Sequence, residues 1–239
     1  TDTTPIMFAA KGLNAAWMVP ILSALFFIPS FSCILALLKL YKNKNLVDVI
    51  FKVAGKFLGY VLTTGLLLIA FEYTILSTRE YTDILGTMFY LETPPLFILL
   101  MLIITSCYIA SRGFTVLGGL CWFVYPYIQL MLLLLIPFLL GYLDINQIFP
   151  IGGPGPGTLI KTSITATTIY DTLLFMTVFF PKVRTYREFK SATLWGLAIS
   201  VMQIALNTLT YITVFGYQTF INLNYPFHQI TRLVELGRF

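Results

Sequence analysis

Long apolar runs, separated by short polar links, dominate the chain. A membrane-spanning helix needs about 20 mostly apolar residues at ~1.5 Å rise each. Six segments meet that length: residues 17–38, 57–78, 93–110, 114–140, 159–180 and 192–215. A seventh apolar segment opens near Pro226. The first segment is interrupted by Pro20 and Pro29, and the fourth holds Pro126 and Pro137, which predict kinks. No alternation of apolar and polar residues runs along these segments, as barrel strands would require. Because every backbone polar group in lipid needs an internal partner, the pattern predicts an all-α polytopic membrane protein.

Composition sharpens that reading. Of the 239 residues, 58% are hydrophobic and 10% are charged. A soluble domain carries about 25% charged residues, so these charges are too few to cover a water-facing surface. The net charge of +5 raises the question of nucleic acid. Its basic residues flank apolar spans, however, which is a topological signature. We therefore expect a lipid bilayer as surroundings and no nucleic acid as partner. Cys33, Cys107 and Cys121 lie inside apolar runs and read as small core residues. His228 has no partner at ligand spacing, so neither metal nor other cofactor is expected. No nucleophile–base pair or phosphate loop supports an enzyme.

Charge also orients the spans. The links after spans one, three and five are basic. They hold Lys39, Lys42, Lys44, Lys52 and Lys56, then Arg112, then Lys182, Arg184, Arg187 and Lys190. The intervening links carry Arg79, Glu80, Asp83 and Glu92, then Asp144 and Lys161, then no charge at all. The basic links are accordingly cytoplasmic, and Thr1 lies outside. The chain opens without methionine and stops within a helical pattern, so we expect one permease-like transmembrane domain over residues 1–239, incomplete at both ends. Residues 45–55 read as a short interfacial helix, 150–158 as an irregular outer loop, and 216–225 as a segment folding back over the outer face.

Ionisable groups inside a span cost about 2.5–3.5 kcal/mol on insertion and mark candidate sites. Asp171 lies about 16 Å from the cytoplasmic edge by helical rise, near mid-membrane, and Glu72 about 22 Å from Phe57, in the outer half. Each reads as a substrate or proton site, or as a buried carboxylate bonded to neighbouring helices. Residues 162–168 spell TSITATT, in which five of seven side chains carry a hydroxyl. Such residues compete for backbone hydrogen bonds and favour a break in the helix beside Asp171; the alternative is an intact helix whose threonines bond back to their own carbonyls. Weaker features are Gly55, Gly59, Gly118 and Gly119 as close-packing points, and Tyr73, Tyr108, Tyr125 and Tyr127 as cavity-lining or interfacial rings. Arg79 beside Glu80 reads as an outer gate or a surface pair.

Four motifs, in order along nearly the whole chain, resemble the B subunit of GerA-type spore germinant receptors. That family is permease-like and belongs to the amino acid–polyamine–organocation superfamily. The motifs are KGLNAAWMVPIL with Trp17, Gly55-Lys56-x-x-Gly59, Glu92-Thr93-Pro94, and YPFHQITRLVELGRF with Pro226, Arg232, Gly237 and Phe239. The resemblance implies a LeuT-like inverted-repeat fold with broken first and sixth helices. By its register the chain covers helices two to seven and the start of helix eight, and span five becomes helix six. Tyr170-Asp171 stands where the family has a Gly-Glu pair. The resemblance further implies a small germinant such as an amino acid, A- and C-type subunits as partners, and the inner spore membrane as location. A germinant would then sit at Thr165, Thr167, Thr168, Tyr170 and Asp171. The alternatives are a proton-coupled amino acid permease using Glu72 or Asp171, and a purely structural membrane subunit.

Overall fold

A computed structural model describes residues 4–41 and 44–233, and among these the regular structure is helical throughout. The helices are α1 (Thr4–Gly12), α2 (Val19–Leu40), α3 (Leu46–Met88), α4 (Pro95–Ser111), α5 (Phe114–Leu139), α6 (Pro156–Thr165), α7 (Thr172–Met176), α8 (Tyr186–Phe215), α9 (Tyr217–Phe220) and α10 (Pro226–Leu233). Tighter 3₁₀ turns join several of them, notably at Leu13–Met18, Ala166–Tyr170 and Thr177–Lys182. Thr1, Lys42, Gly237 and Phe239 lie outside the described residues.

Among the described residues, five continuous helical stretches are long and apolar enough to cross a membrane: Thr4–Leu40, Leu46–Met88, Phe114–Tyr142, Pro156–Lys182 and Tyr186–Phe215. The segment expected over 93–110 forms only the 17-residue helix α4. Pro94 is extended, with ψ 133°, and Pro95 takes the first helical turn, where its missing N–H costs nothing. The chain is a polytopic α-helical membrane protein. The described residues divide into two compact units: 4–41 and 44–68 with 144–224, and 69–143 with 225–233.

The first unit is built around α2. Phe27 and Phe31 stack at 5.4 Å, and Tyr170 lies 5.6 Å from Phe27. Leu35, Leu38, Val49, Phe180, Phe189 and Leu197 continue the same cluster. Along α8 the buried Phe189, Thr193 and Leu197 recur every four residues, which is one helix face. Thr185 caps α8, its hydroxyl accepting from the Glu188 N–H at 3.2 Å.

Two expectations about this unit change. Pro20 does not interrupt a helix; it sits in the first turn of α2, where proline is tolerated. The interruption lies upstream at Leu13–Met18, and Leu13 adopts φ 50°. Cys33 is exposed rather than packed in the core.

Gly55 takes φ 75° and splits α3, so residues 46–54 form the separate helix expected at the interface. A side chain with a Cβ would be strained at that φ. Beyond it the helix continues to Met88, past the expected end at 78. From Lys56 that is about 50 Å of helix against a hydrocarbon core of about 30 Å, so the polar last turns extend beyond the bilayer.

In the second unit Arg79 pairs with Asp83 one turn along, at 3.8 Å, with both side chains largely exposed. This is the surface reading, with Asp83 as partner. Cys107 and Cys121 are exposed, and a Cβ built on Gly118 or Gly119 meets open space. Neither cysteine is a core residue, and neither glycine is a close-packing point here. Arg112 donates to the Tyr108 hydroxyl at 2.8 Å, as an interfacial pair would. His228 of α10 lies edge-on to Phe89 at 5.7 Å.

Candidate functional site

The hydroxyl-rich segment ends α6 at Thr165 and tightens into a 3₁₀ turn over Ala166–Tyr170. Its backbone stays right-handed, with Ala166 at φ −81°, ψ −1° and Asp171 at φ −61°, ψ −23°. The helix is therefore narrowed rather than opened, which corrects the expected break. The cause is local. Thr165 donates to the Thr162 carbonyl at 2.8 Å and Thr167 to the Ile164 carbonyl at 2.8 Å, each three residues back. Thr168 reaches the Thr165 carbonyl at 3.5 Å. Side chains that bond to carbonyls three residues back favour the tighter winding.

That winding arranges the candidate residues. Side chains three apart eclipse on a 3₁₀ helix, with about 6 Å between them along the axis. Thr165, Thr168 and Asp171 consequently form one polar stripe; both threonines are exposed and Asp171 is half-buried. Thr167 falls on a different face with Tyr170. No hydrogen-bond or ion-pair partner holds the Asp171 carboxylate among the described residues. The threonine hydrogens are already committed to carbonyls, so the stripe offers oxygen acceptors: two hydroxyl lone-pair sets and one carboxylate. Such a surface suits a donor-rich, cationic group.

Tyr170 plays another part. It is buried, packs on Phe27 and donates its hydroxyl to the Pro20 carbonyl at 2.8 Å. It fastens the 3₁₀ turn to α2, so its hydroxyl is spent within the protein. Glu72 belongs to the second unit and is exposed on α3. Among the exposed tyrosines Tyr73, Tyr108, Tyr125 and Tyr127, none lines an enclosed site within its unit.

Sequence reasoning missed a clamp on the other interrupted helix. Asn14, 7% exposed, donates its Nδ2 to the Gln147 carbonyl at 2.7 Å and to the Phe149 carbonyl at 2.8 Å. A Cβ on Gly153 would stand 2.8 Å from both the Ala15 Cβ and the Gly12 carbonyl oxygen. Asp144 accepts from Asn146 N–H at 3.0 Å and from Gln147 Nε2 at 3.2 Å, while its own N–H donates to the Thr213 carbonyl. Residues 144–155 are thus seated on the 13–18 turn and on the end of α8. The only sequence signal was Asn14 itself, a lone amide between apolar residues.

A family model described as spore germination protein matches residues 3–239. The chain belongs to that family. No curated protein and no solved structure matches it. As a spore germination permease, it is an integral protein of the cytoplasmic or inner spore membrane. The four motifs and the charge-flanked spans agree with that membership.

Proposed function

We propose that this chain is the permease-like subunit of a nutrient germinant receptor, and that the Thr165–Thr168–Asp171 stripe receives the ammonium group of a small germinant such as an amino acid. The observation that carries the reading is the half-buried Asp171 carboxylate, unpartnered among the described residues, in line with two hydroxyls whose hydrogens point back to the helix. A carboxylate held within a membrane helix is costly and is retained where a ligand or proton uses it. Thr167 supports the turn behind the stripe, and Tyr170 anchors it. The inverted-repeat arrangement and the A- and C-type partner subunits belong to the same proposal, supported by family membership. Binding would favour one arrangement of the helices, which requires unequal affinity for two states.

The test is saturable binding of radiolabelled amino acids to the full-length protein in membranes with its partner subunits. Asp171→Asn removes a charge-assisted hydrogen bond worth about 1.5–3 kcal/mol, so affinity should fall about 10- to 100-fold. Thr168→Val should weaken binding by a smaller factor, and deaminated analogues of the bound amino acid should fail to compete. Binding unaffected by Asp171→Asn would remove the site. Uptake into sealed vesicles separates the receptor from a proton-coupled permease: accumulation driven by a proton gradient would favour the permease.

A further inference from the structure

Two basic links far apart in sequence share one foundation in the first unit. The link after α2 contributes Lys39, Lys44, Lys52 and Lys56; the link before α8 contributes Lys182, Arg184, Arg187 and Lys190. Val49, on the short helix over 46–54, belongs to the same apolar cluster as Leu35, Leu38, Phe180 and Phe189. Tyr41, Val183 and Tyr186 pack against that cluster. Phe180 holds the junction, with Phe189 at 5.2 Å and Tyr186 at 6.4 Å. The links therefore converge on the end of the bundle where α2 stops and α8 starts.

All eight cations are exposed, and none is in an ion pair among the described residues. Only two carboxylates accompany them, Asp48 and Glu188. Both sit in first turns of helices, where they offset the helix dipole. Asp48 is further engaged with Asn45: the Asn45 N–H donates to it at 3.3 Å while its own N–H donates to Asn45 Oδ1 at 2.8 Å. Lys52 lies over the Tyr41 ring at 5.0 Å, which holds its ammonium at the level of the span end. The cations lie at the ends of the spans Thr4–Leu40 and Pro156–Lys182 and at the starts of those that follow.

We propose that this rim is a binding surface for anionic phospholipid headgroups of the cytoplasmic leaflet. Two features favour a lipid surface over an acidic protein. The charges lie at span ends, where headgroups are, and the short helix over 46–54 carries Lys52 among them. The pairing across 130 residues of sequence makes it one surface rather than two separate topological signals.

The test uses the full chain in bilayers of phosphatidylcholine containing spin-labelled phosphatidylglycerol or spin-labelled phosphatidylcholine, and reads the relative association of the two lipids. A preference of about fivefold for phosphatidylglycerol is expected at low salt, the effect of one cation on one headgroup. It should fall towards unity at 0.5 M salt, where screening is nearly complete over a few ångströms. Lys44→Gln/Lys52→Gln/Lys56→Gln and Arg184→Gln/Arg187→Gln/Lys190→Gln should each lower the preference, and together abolish it. Lys161→Gln, near the opposite end of the span Pro156–Lys182, should leave it unchanged. Circular dichroism controls for folding, which these exposed positions should not disturb. A preference that survives both triple changes, or falls equally in the control, overturns the proposal. So does absence of any lipid preference combined with binding of a poly-glutamate peptide, which would make the rim a protein-docking surface.

Discussion

The Asn14 clamp yields the most sharply defined test of the fold. Its Nδ2 group supplies both hydrogen bonds that fix the 144–155 segment to the 13–18 turn, at 2.7 and 2.8 Å. In Asn14→Ala both carbonyls lose their donor at a site where Asn14 is 7% exposed. Each neutral bond contributes about 1 kcal/mol net, so the loss should be about 2 kcal/mol, more if water cannot reach the carbonyls. That corresponds to roughly a thirtyfold fall in the folded-to-unfolded ratio. Asn14→Asp is nearly isosteric but replaces the donor with acceptor oxygens facing two carbonyls. It should be worse than alanine, by a further 1 kcal/mol or so from desolvating an unpaired charge. The assay is equilibrium unfolding of the purified protein in mixed micelles titrated with a denaturing detergent, followed by helical circular dichroism. The expected order of stability is wild type, then alanine, then aspartate. Equal stability of Asn14→Asp and wild type would refute the clamp, because no carboxylate can reproduce the two donations.

Four further outcomes follow from the structure. Gly153→Ala should unseat the same loop, since its Cβ would stand 2.8 Å from the Gly12 carbonyl oxygen at a φ of 49°; limited proteolysis within 149–155 should accelerate. Tyr170→Phe keeps the ring on Phe27 but loses the bond to Pro20, so stability should fall by about 1 kcal/mol while germinant affinity changes less than twofold; a tenfold loss would return Tyr170 to the binding site. Gly55→Ala meets no neighbour within 4 Å yet must adopt φ 75°, ψ −179°, so it should cost about 1–3 kcal/mol from backbone strain alone, and a thermal melt showing no change would contradict the split in α3. Glu72→Gln, on an exposed face, should leave stability within about 0.5 kcal/mol of wild type and should not alter amino acid binding.

Much of the fold was legible from the chain alone, because a bilayer constrains a sequence strongly. Spans need length and apolarity, and both are one-dimensional properties. The separate helix over 46–54 was readable from its mix of apolar and basic residues, and the start of α10 from Pro226. Asp171 and its threonines stood out because polarity is costly at mid-span. What could not be read was where each side chain's hydrogen bonds go. The hydroxyls of 162–168 favoured an opened helix over an intact one; the backbone took a third form, a 3₁₀ turn, through bonds three residues back. Tyr170 was assigned to the ligand by its position next to Asp171, whereas the packing of α2 against the turn gives its hydroxyl to Pro20. The Asn14 clamp joins residues more than 130 positions apart, and no periodicity encodes such a pairing. Composition and charge thus determined that the protein crosses a membrane by helices. Only the tertiary structure decided which polar groups face one another, because that depends on which distant carbonyls packing leaves within reach.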